Sequence, residues 1–117
     1  MSIRIKRVYA SPAADDGRRV LVDRLWPRGL SKQRAELDEW CRDVAPSPDL
    51  RKWFGHDPER WAAFRAAYRD ELAAMDTATL APLVEAARDD RLTLLYAARD
   101  EQHNHARVLA EFLEAQQ

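Results

Sequence analysis

The sequence has little cysteine, little glycine and no long apolar run, and each shortage narrows the class of protein. Its 117 residues include one cysteine, Cys41, and three glycines, which excludes an internal disulfide scaffold and a collagen-like repeat. No apolar stretch approaches the about 18 residues of a membrane-spanning helix, and the first residues lack the apolar core of a signal peptide. We therefore expect a soluble, cytoplasmic protein whose residues 1–117 form a single domain.

The net charge of −1 conceals two segments of opposite sign. Residues 1–34 carry nine Lys and Arg against three Asp and Glu, a local charge of +6, whereas the remainder carries ten against seventeen, a local charge of −7. The whole-chain pI of about 6.3 is lower than the pI above about 9 that is typical of nucleic-acid-binding domains. A local anion site therefore explains the basic segment better than general nucleic-acid binding, which stays an alternative.

Hydrophobic patterning predicts three strands. Ile3 and Ile5 alternate with basic residues, as in a half-exposed first strand. Consecutive apolar residues in 18–25 indicate a second strand covered on both faces, and 92–96 forms a third.

Capping residues predict the helices between and after these strands. Ser31 is expected to begin a helix that carries Leu37, Trp40, Cys41 and Val44 on one face. Ser47-Pro48 and Asp57-Pro58 are typical of two further helix starts, and Asp76 or Thr77 begins another, with Pro82 limiting how far back it extends. A last amphipathic helix covers 104–114. The order predicts an α/β fold, a small three-layer domain with a short, mainly parallel three-stranded sheet flanked by helices.

Ligands of open parallel sheets bind beyond the carboxyl ends of the strands. In this chain that position holds two loops, 23–31 and 96–105, which we expect to form a cleft for a small anion. Arg28 lies before a helix start, where free N–H groups and the helix dipole attract carboxylate or phosphate. The candidate ligand-binding residues are Arg24, Trp26, Arg28 and Ser31 from the first loop, and Tyr96, Arg99, Asp100 and Asn104 from the second.

Asp23 and His105 are the candidate catalytic residues of this cleft. Asp23 would orient or activate the ligand, and a histidine at a helix start stays neutral enough to act as a base. Two structural alternatives remain open, an internal ion pair for Asp23 and a hydrogen-bonded core position for His105. His56, Asp57 and His103 are candidates for the edge of the pocket.

Other chemistry has less support in the sequence. His103-x-His105 provides two donors, whereas zinc sites use three or four protein ligands, so we predict no metal site. Cys41 on an apolar helix face would be a small buried residue with a raised pKa and little reactivity. The sequence contains no glycine-rich phosphate loop or nucleotide fingerprint, and we predict no cofactor.

Several unusual motifs together resemble the YeaO-like branch of the bacterial domain of unknown function 488. They are Val22-Asp23-Arg24-Leu25-Trp26-Pro27-Arg28-Gly29, Asp38-Glu39-Trp40, Ala45-Pro46-Ser47, Leu50-Arg51-Lys52-Trp53-Phe54-Gly55-His56-Asp57-Pro58, Leu94-Leu95-Tyr96-Ala97-Ala98-Arg99-Asp100 and His103-Asn104-His105-Ala106. The resemblance spans nearly the whole chain and implies a small cytoplasmic α/β protein without an established reaction.

Longer relatives in that family carry additional cysteines, a glutamate and an arginine near the last strand. Against their pattern, Asp23 and His105 retain the aspartate and the histidine, whereas Tyr96 and Asn104 replace cysteines, Ala98 replaces the glutamate and Ala106 replaces the arginine. The resemblance therefore implies no thiol or metal chemistry in this chain. The sequence leaves open whether a bound anion is converted, and the alternatives are a non-catalytic homodimer formed through helices 58–75 or 104–114 and the nucleic-acid-associated protein.

Overall fold

A computed structural model describes residues 2–116 and contains a four-stranded parallel sheet with helices packed on it. The strand order is β1-β4-β2-β3, and every neighbouring pair is parallel. The predicted α/β class and the mainly parallel sheet are confirmed, but the predicted number of three strands is wrong. The strands are β1 (Ser2–Arg7), β2 (Arg18–Leu21), β3 (Glu39–Trp40) and β4 (Arg91–Tyr96).

The prediction of one helix that begins at Ser31 and carries Leu37, Trp40, Cys41 and Val44 is wrong. Ser31 does cap a helix, with its hydroxyl accepting from the N–H of Arg34, but this helix, α1, covers only Lys32–Ala35. It ends because the backbone of Glu36 adopts the left-handed conformation at φ 46°. A right-handed α-helix cannot continue through a residue in that conformation.

The missed strand β3 follows directly. The Asp38 N–H donates to the carbonyl of Arg19, and the Asp38 carboxylate accepts from the Arg19 N–H at 2.8 Å, so the chain is aligned along the edge of β2. The N–H of Cys41 then donates to the Leu21 carbonyl. Trp40 and Cys41 thus follow a sheet edge rather than a helix face. β2 itself ends at Leu21 instead of the predicted residue 25.

The helices after Ser47 and Asp76 start where their caps predict, whereas Asp57 caps a 3₁₀ turn and the α-helix after it begins at Trp61. Ser47, Asp57 and Asp76 accept hydrogen bonds from the N–H groups of the first turn that follows each of them. Pro82 lies inside its helix, and so restricts the helix start less than expected. In the described part of the chain, no helix is long and apolar enough to cross a membrane. The helices are α2 (Pro48–Phe54), α3 (Trp61–Ala74), α4 (Thr77–Asp89) and α5 (His105–Ala115), and short 3₁₀ turns cover Ala14–Asp16, Arg42–Val44 and Pro58–Arg60.

The two faces of the sheet bury different clusters. Alternate residues of β4 show this, because Leu92, Leu94 and Tyr96 belong to the large cluster under α2–α5, whereas Leu95 belongs to a small cluster on the other face. The small cluster is covered by the segment between Trp26 and Trp40, which includes α1.

Much of the basic N-terminal segment is already paired with carboxylates. Arg4 pairs with Asp15, Arg18 with Glu39, and Lys6 and Arg19 both pair with the buried Asp16. Asp15 and Asp16 are already counted in the local charge of +6, and of these pairs only Arg18–Glu39 brings in a carboxylate from outside residues 1–34.

Candidate functional site

A cleft of about 240 Å³ lies at the carboxyl ends of β2 and β4. It combines residues from both predicted loops with a third segment, 45–56, that carries α2. Such a volume is slightly below the about 300–1,000 Å³ of clefts that hold drug-sized molecules, so it suits a small ligand. The lining residues are Asp23, Arg24, Leu25, Ala45, Pro46, Arg51, Phe54, His56, Phe64, Ala97, Ala98, Asn104 and His105.

Asp23 and His105, which were predicted on separate loops, lie side by side in the wall of this cleft. His105 Nε2 is 3.2 Å from Asp23 Oδ1 and 3.1 Å from the carbonyl oxygen of Val22. The hydrogen-bond geometry favours Val22, and because a carbonyl only accepts, Nε2 must carry the proton. Asp23 Oδ2 accepts from the N–H of Ala97 at 3.2 Å. The pair therefore fastens the end of β2 to the start of α5 and to the end of β4.

One polar atom of this pair stays unsatisfied. Asp23 Oδ1 is buried and receives no hydrogen bond from the residues that the structure describes. Arg24 Nε, in the same wall, is likewise buried without an acceptor. Unsatisfied buried polar atoms are uncommon in native proteins and are often found at functional sites.

Two guanidinium groups reach the cleft from distant parts of the chain. Arg24 Nη2 donates to the carbonyls of Ala45 and Pro46, each at 3.3 Å, which fixes the position of this side chain. Arg51 is exposed, and its side chain forms no hydrogen bond or ion pair with residues 2–116. His56 lies beside the cleft in the left-handed conformation at φ 58°. The cleft thus contains two permanent positive charges against the single carboxylate of Asp23.

The segment that carries Arg51 is held in place from α3. The Glu71 carboxylate accepts from the N–H and the hydroxyl of Ser47 at 2.8 and 2.7 Å, and Ser47 caps α2. The buried Tyr68 hydroxyl donates to the carbonyl of Val44 at 2.5 Å, and burial raises the pKa of this phenol. These contacts fix the start of α2, so Arg51 and Phe54, three residues apart, both lie beside the cleft.

The start of α5 forms another part of the wall. Asn104 is buried and caps this helix, since its side-chain oxygen accepts from the Arg107 N–H at 3.0 Å. The positive end of the helix dipole therefore faces the region of the cleft that Asn104 and His105 line.

Four residues of the predicted first loop behave differently from one another. Arg24 lines the cleft as expected, whereas Arg28 is exposed and outside the lining, and its carbonyl accepts from Tyr9. Ser31 only caps α1. Trp26 packs in the small cluster on the other face of the sheet, where its indole N–H donates to Leu30 at 2.8 Å.

Only some of the predicted residues of the second loop line the cleft. Asn104 and His105 line the cleft, whereas Arg99 is exposed outside the lining and Tyr96 is buried in the large cluster, where burial raises the pKa of its phenol. Asp100 is not a lining residue either.

Asp100 instead organises its own loop. Its carboxylate accepts from His103 Nδ1 at 2.9 Å and from the N–H groups of Gln102 and His103. The His103 ring and these N–H groups hold the pKa of Asp100 below its ordinary value. The His103 ring packs edge-on against Trp61. Of the three residues predicted at the edge of the pocket, only His56 lines the cleft. His103 lies outside the lining, and so does Asp57, which caps the turn at 58–60.

Thiol and metal chemistry gain no support at this site. Cys41 lies after β3, half-buried, and burial together with the adjacent Glu39 carboxylate raises the pKa of its thiol to about 12. Within residues 2–116, no group of three His, Cys, Asp or Glu side chains is arranged to hold a metal ion.

The sequence missed Arg51 and the aromatic residues of the cleft. Arg51 and Phe54 were not predicted as site residues, although His56 in the same motif was a candidate for the edge of the pocket. The signal that could have found them is the cap at Ser47-Pro48, which sets the helical register and places Arg51 and Phe54 on one face.

Fold and cleft together define a small parallel α/β protein with its candidate site at the carboxyl ends of the strands. A family model described as "Inactive DUF488-N3 subclade" matches residues 2–117, so the chain belongs to this family. Protein YeaO of Escherichia coli, described as uncharacterized, is 45% identical over 113 residues that cover 97% of each chain. Uncharacterized proteins of Mycobacterium tuberculosis and Mycobacterium bovis are 44% identical over 111 residues, 95% of this chain and 92% of theirs. No solved structure matches. The predicted membership of the YeaO-like DUF488 proteins is confirmed.

Proposed function

We propose that the protein binds a small anionic ligand in the cleft between loop 23–25, segment 45–56 and loop 97–105. The observation that carries this proposal is the convergence of Arg24 and Arg51 on one cleft whose only carboxylate is Asp23. Guanidinium groups bind carboxylate and phosphate oxygens through charge-assisted hydrogen bonds. Arg24 and Arg51 therefore take the role that the sequence suggested for Arg28 and Arg99.

The proposal is for binding without turnover. His105 Nε2 is committed as a donor to Val22, and Asp23 Oδ2 is committed to the backbone of Ala97, so both act as positioning residues that shape the cleft. The word "inactive" in the description of the matching family favours the same conclusion. We propose that residues 1–117 act as one domain in the cytoplasm, a reducing compartment in which the thiol of Cys41 stays reduced.

Neither alternative function has a specific observation in its favour. A nucleic-acid interface would need free cations in the N-terminal third, where several are paired with carboxylates. A dimer through α3 or α5 would need their apolar faces free, but these faces pack together in the large cluster, and Arg65 pairs with Glu111 across the two helices at 2.5 Å.

Thermal unfolding with small anions tests the proposal. Sodium acetate, phosphate and sulfate are titrated at constant ionic strength with sodium chloride as the reference, and the shift in Tm is measured. An anion at 100 times its Kd adds about 2.7 kcal/mol of stability, or roughly 11 °C for a chain of this length at about 2.1 cal/mol/K per residue. Because one charge-assisted hydrogen bond contributes about 1.5–3 kcal/mol, we expect Arg51→Ala to weaken binding by about tenfold or more.

The matched control is Arg99→Ala, which removes another exposed arginine that lies outside the cleft lining. This variant should bind like the wild type. Equal Tm shifts in Arg51→Ala, Arg99→Ala and the wild type would refute the anion site, as would no shift with any of the three anions.

A further inference from the structure

We propose that the ligand of this cleft is a monocarboxylate with an apolar body, a single ring or a branched chain, which lies on the cleft floor while the carboxylate stays at the mouth. This inference rests on the proposed anion-binding function and adds the class and the orientation of the ligand. It follows from how burial, charge and aromatic packing are distributed around the cleft.

The floor of the cleft is apolar and is formed by buried side chains. Phe54 and Phe64 are 5% and 2% exposed, and their rings stack with centroids 4.2 Å apart at an angle of 16°. The buried residues Ala45 and Pro46 complete this floor. The parts of these apolar side chains that line the cleft are removed from water only by a ligand that carries an apolar group, and this removal is favourable. An inorganic anion alone would leave this surface wet.

The charged groups lie higher in the cleft. Arg51 and His56 are exposed and stand at the mouth, and Arg24 is half-buried in the wall. Moving an anion from these groups to the phenylalanine floor would remove its hydration without a compensating partner. An anionic group therefore stays at the mouth, and the rest of the ligand extends inward.

Asp23 limits the charge of the ligand. Its carboxylate lies in the same wall, and its Oδ1 atom already lacks a hydrogen-bond donor. Arg24 and Arg51 contribute two positive charges and Asp23 one negative charge, so a monoanion leaves the cleft neutral, whereas a dianion such as a phosphate monoester leaves an uncompensated negative charge beside Asp23. The mixed wall thus favours a carboxylate.

The size of the cleft limits the apolar body. About 240 Å³ is less than the lower bound of about 300 Å³ for clefts that hold drug-sized molecules. One ring, or a branched chain of a few carbons, fits this space better than a fused or polymeric molecule.

A series of four probes tests the class of ligand. Phenylacetate has the anion and the ring, acetate has the anion alone, benzyl alcohol has the ring alone, and inorganic phosphate has the higher charge. Because each buried methylene strengthens binding about fourfold, phenylacetate should bind at least about tenfold more tightly than acetate. Its binding should weaken in Arg51→Ala and remain unchanged in Arg99→Ala, and benzyl alcohol should not compete with it.

The outcomes separate this inference from the anion site itself. Equal binding of acetate and phenylacetate, both dependent on Arg51, would overturn the inference and leave the anion site intact. The same holds if phosphate binds through Arg51 more tightly than phenylacetate. Benzyl alcohol binding as tightly as phenylacetate would overturn both proposals, and so would the absence of binding by all four probes.

Nuclear Overhauser effects test the orientation directly. Protons of the phenylacetate ring should contact the rings of Phe54 and Phe64 in the complex. Contacts of that ring with Arg51 and His56 instead would show the ring at the mouth and overturn the proposed orientation, whatever the affinities are.

Discussion

Removing the carboxylate of Asp16 should destabilise the fold strongly without affecting the cleft. Asp16 lies before β2, at the amino end of the strand, and is 1% exposed. Its carboxylate accepts from Arg19 Nη1 at 2.5 Å, from Lys6 Nζ at 3.2 Å and from the N–H of Ala13 at 3.0 Å. Arg19 is itself 5% exposed, so Asp16→Ala leaves a buried guanidinium without its counter-charge.

The magnitude follows from the burial of the pair. Removing one partner of a buried ion pair costs about 3–5 kcal/mol. Arg19 retains hydrogen bonds to the carbonyls of Ala35 and Glu36, which places the expected loss at the lower end of this range. With an unfolding entropy of about 0.25 kcal/mol/K for 117 residues, a loss of about 3 kcal/mol lowers Tm by roughly 12 °C.

The pH dependence has a definite sign. Burial alone would raise the pKa of Asp16, but the hydrogen bonds from Ala13, Lys6 and Arg19 outweigh it and hold the pKa below its ordinary value of 3.8. The stabilisation is therefore fully present above about pH 4 and is lost as the pH falls through the lowered pKa. The difference in stability between wild type and Asp16→Ala should accordingly shrink in strong acid.

Urea unfolding followed by tryptophan fluorescence measures both effects. Asp15→Ala is the matched control, because the side chain of Asp15 is 60% exposed and its ion pairs with Arg4 and Arg91 are solvent-accessible. That variant should lose less than about 1 kcal/mol. Equal losses in Asp16→Ala and Asp15→Ala, or a difference that does not change with pH, would refute the reasoning.

Two further predictions concern Gly17 and Cys41. Gly17→Ala should cost more than about 2 kcal/mol, since φ is 66° and the added Cβ would lie 2.3 Å from the Arg91 carbonyl oxygen. Gly29→Ala, at φ 75° in open space, should cost only the about 1–2 kcal/mol of left-handed strain, and thermal unfolding in which both variants lose equally would contradict this. Cys41, with a pKa of about 12, should react slowly with iodoacetamide at pH 8 and faster in Glu39→Gln, whereas a rate equal to that of free cysteine would be inconsistent with the raised pKa.

The sequence predicted those elements whose signals are local. Neighbouring residues alone predict the helix caps at Ser47 and Asp76 and the continuous apolar strand β4. The structure confirms all three. β3 could not be predicted in this way. It contains two residues and exists because Asp38 bonds to Arg19, which is a contact between distant segments.

The position of the cleft was predicted, but only some of its lining residues were. The rule for parallel sheets located the cleft at the strand ends, and it brought Asp23 and His105 together. This rule could not predict that Arg24 lines the cleft while Arg28 lies outside it. The direction of each side chain depends on the conformation of the turn after β2. Arg51 comes from a helix that joins the cleft through the bond between Ser47 and Glu71, again a distant contact.

The central position of β4 controls how the protein can assemble. β4 lies between β1 and β2, so neither of these strands has that partner until residues 91–96 have been synthesised. Folding must then close loops of more than 65 residues at once, which is typical of slow folding. A nascent chain that ends before Arg91 exposes the open edge of β1 and its Ile3 and Ile5 side chains, an arrangement that invites pairing with other chains. Pairing of β4 with both neighbours is therefore the step at which misassembly competes with folding of this sheet.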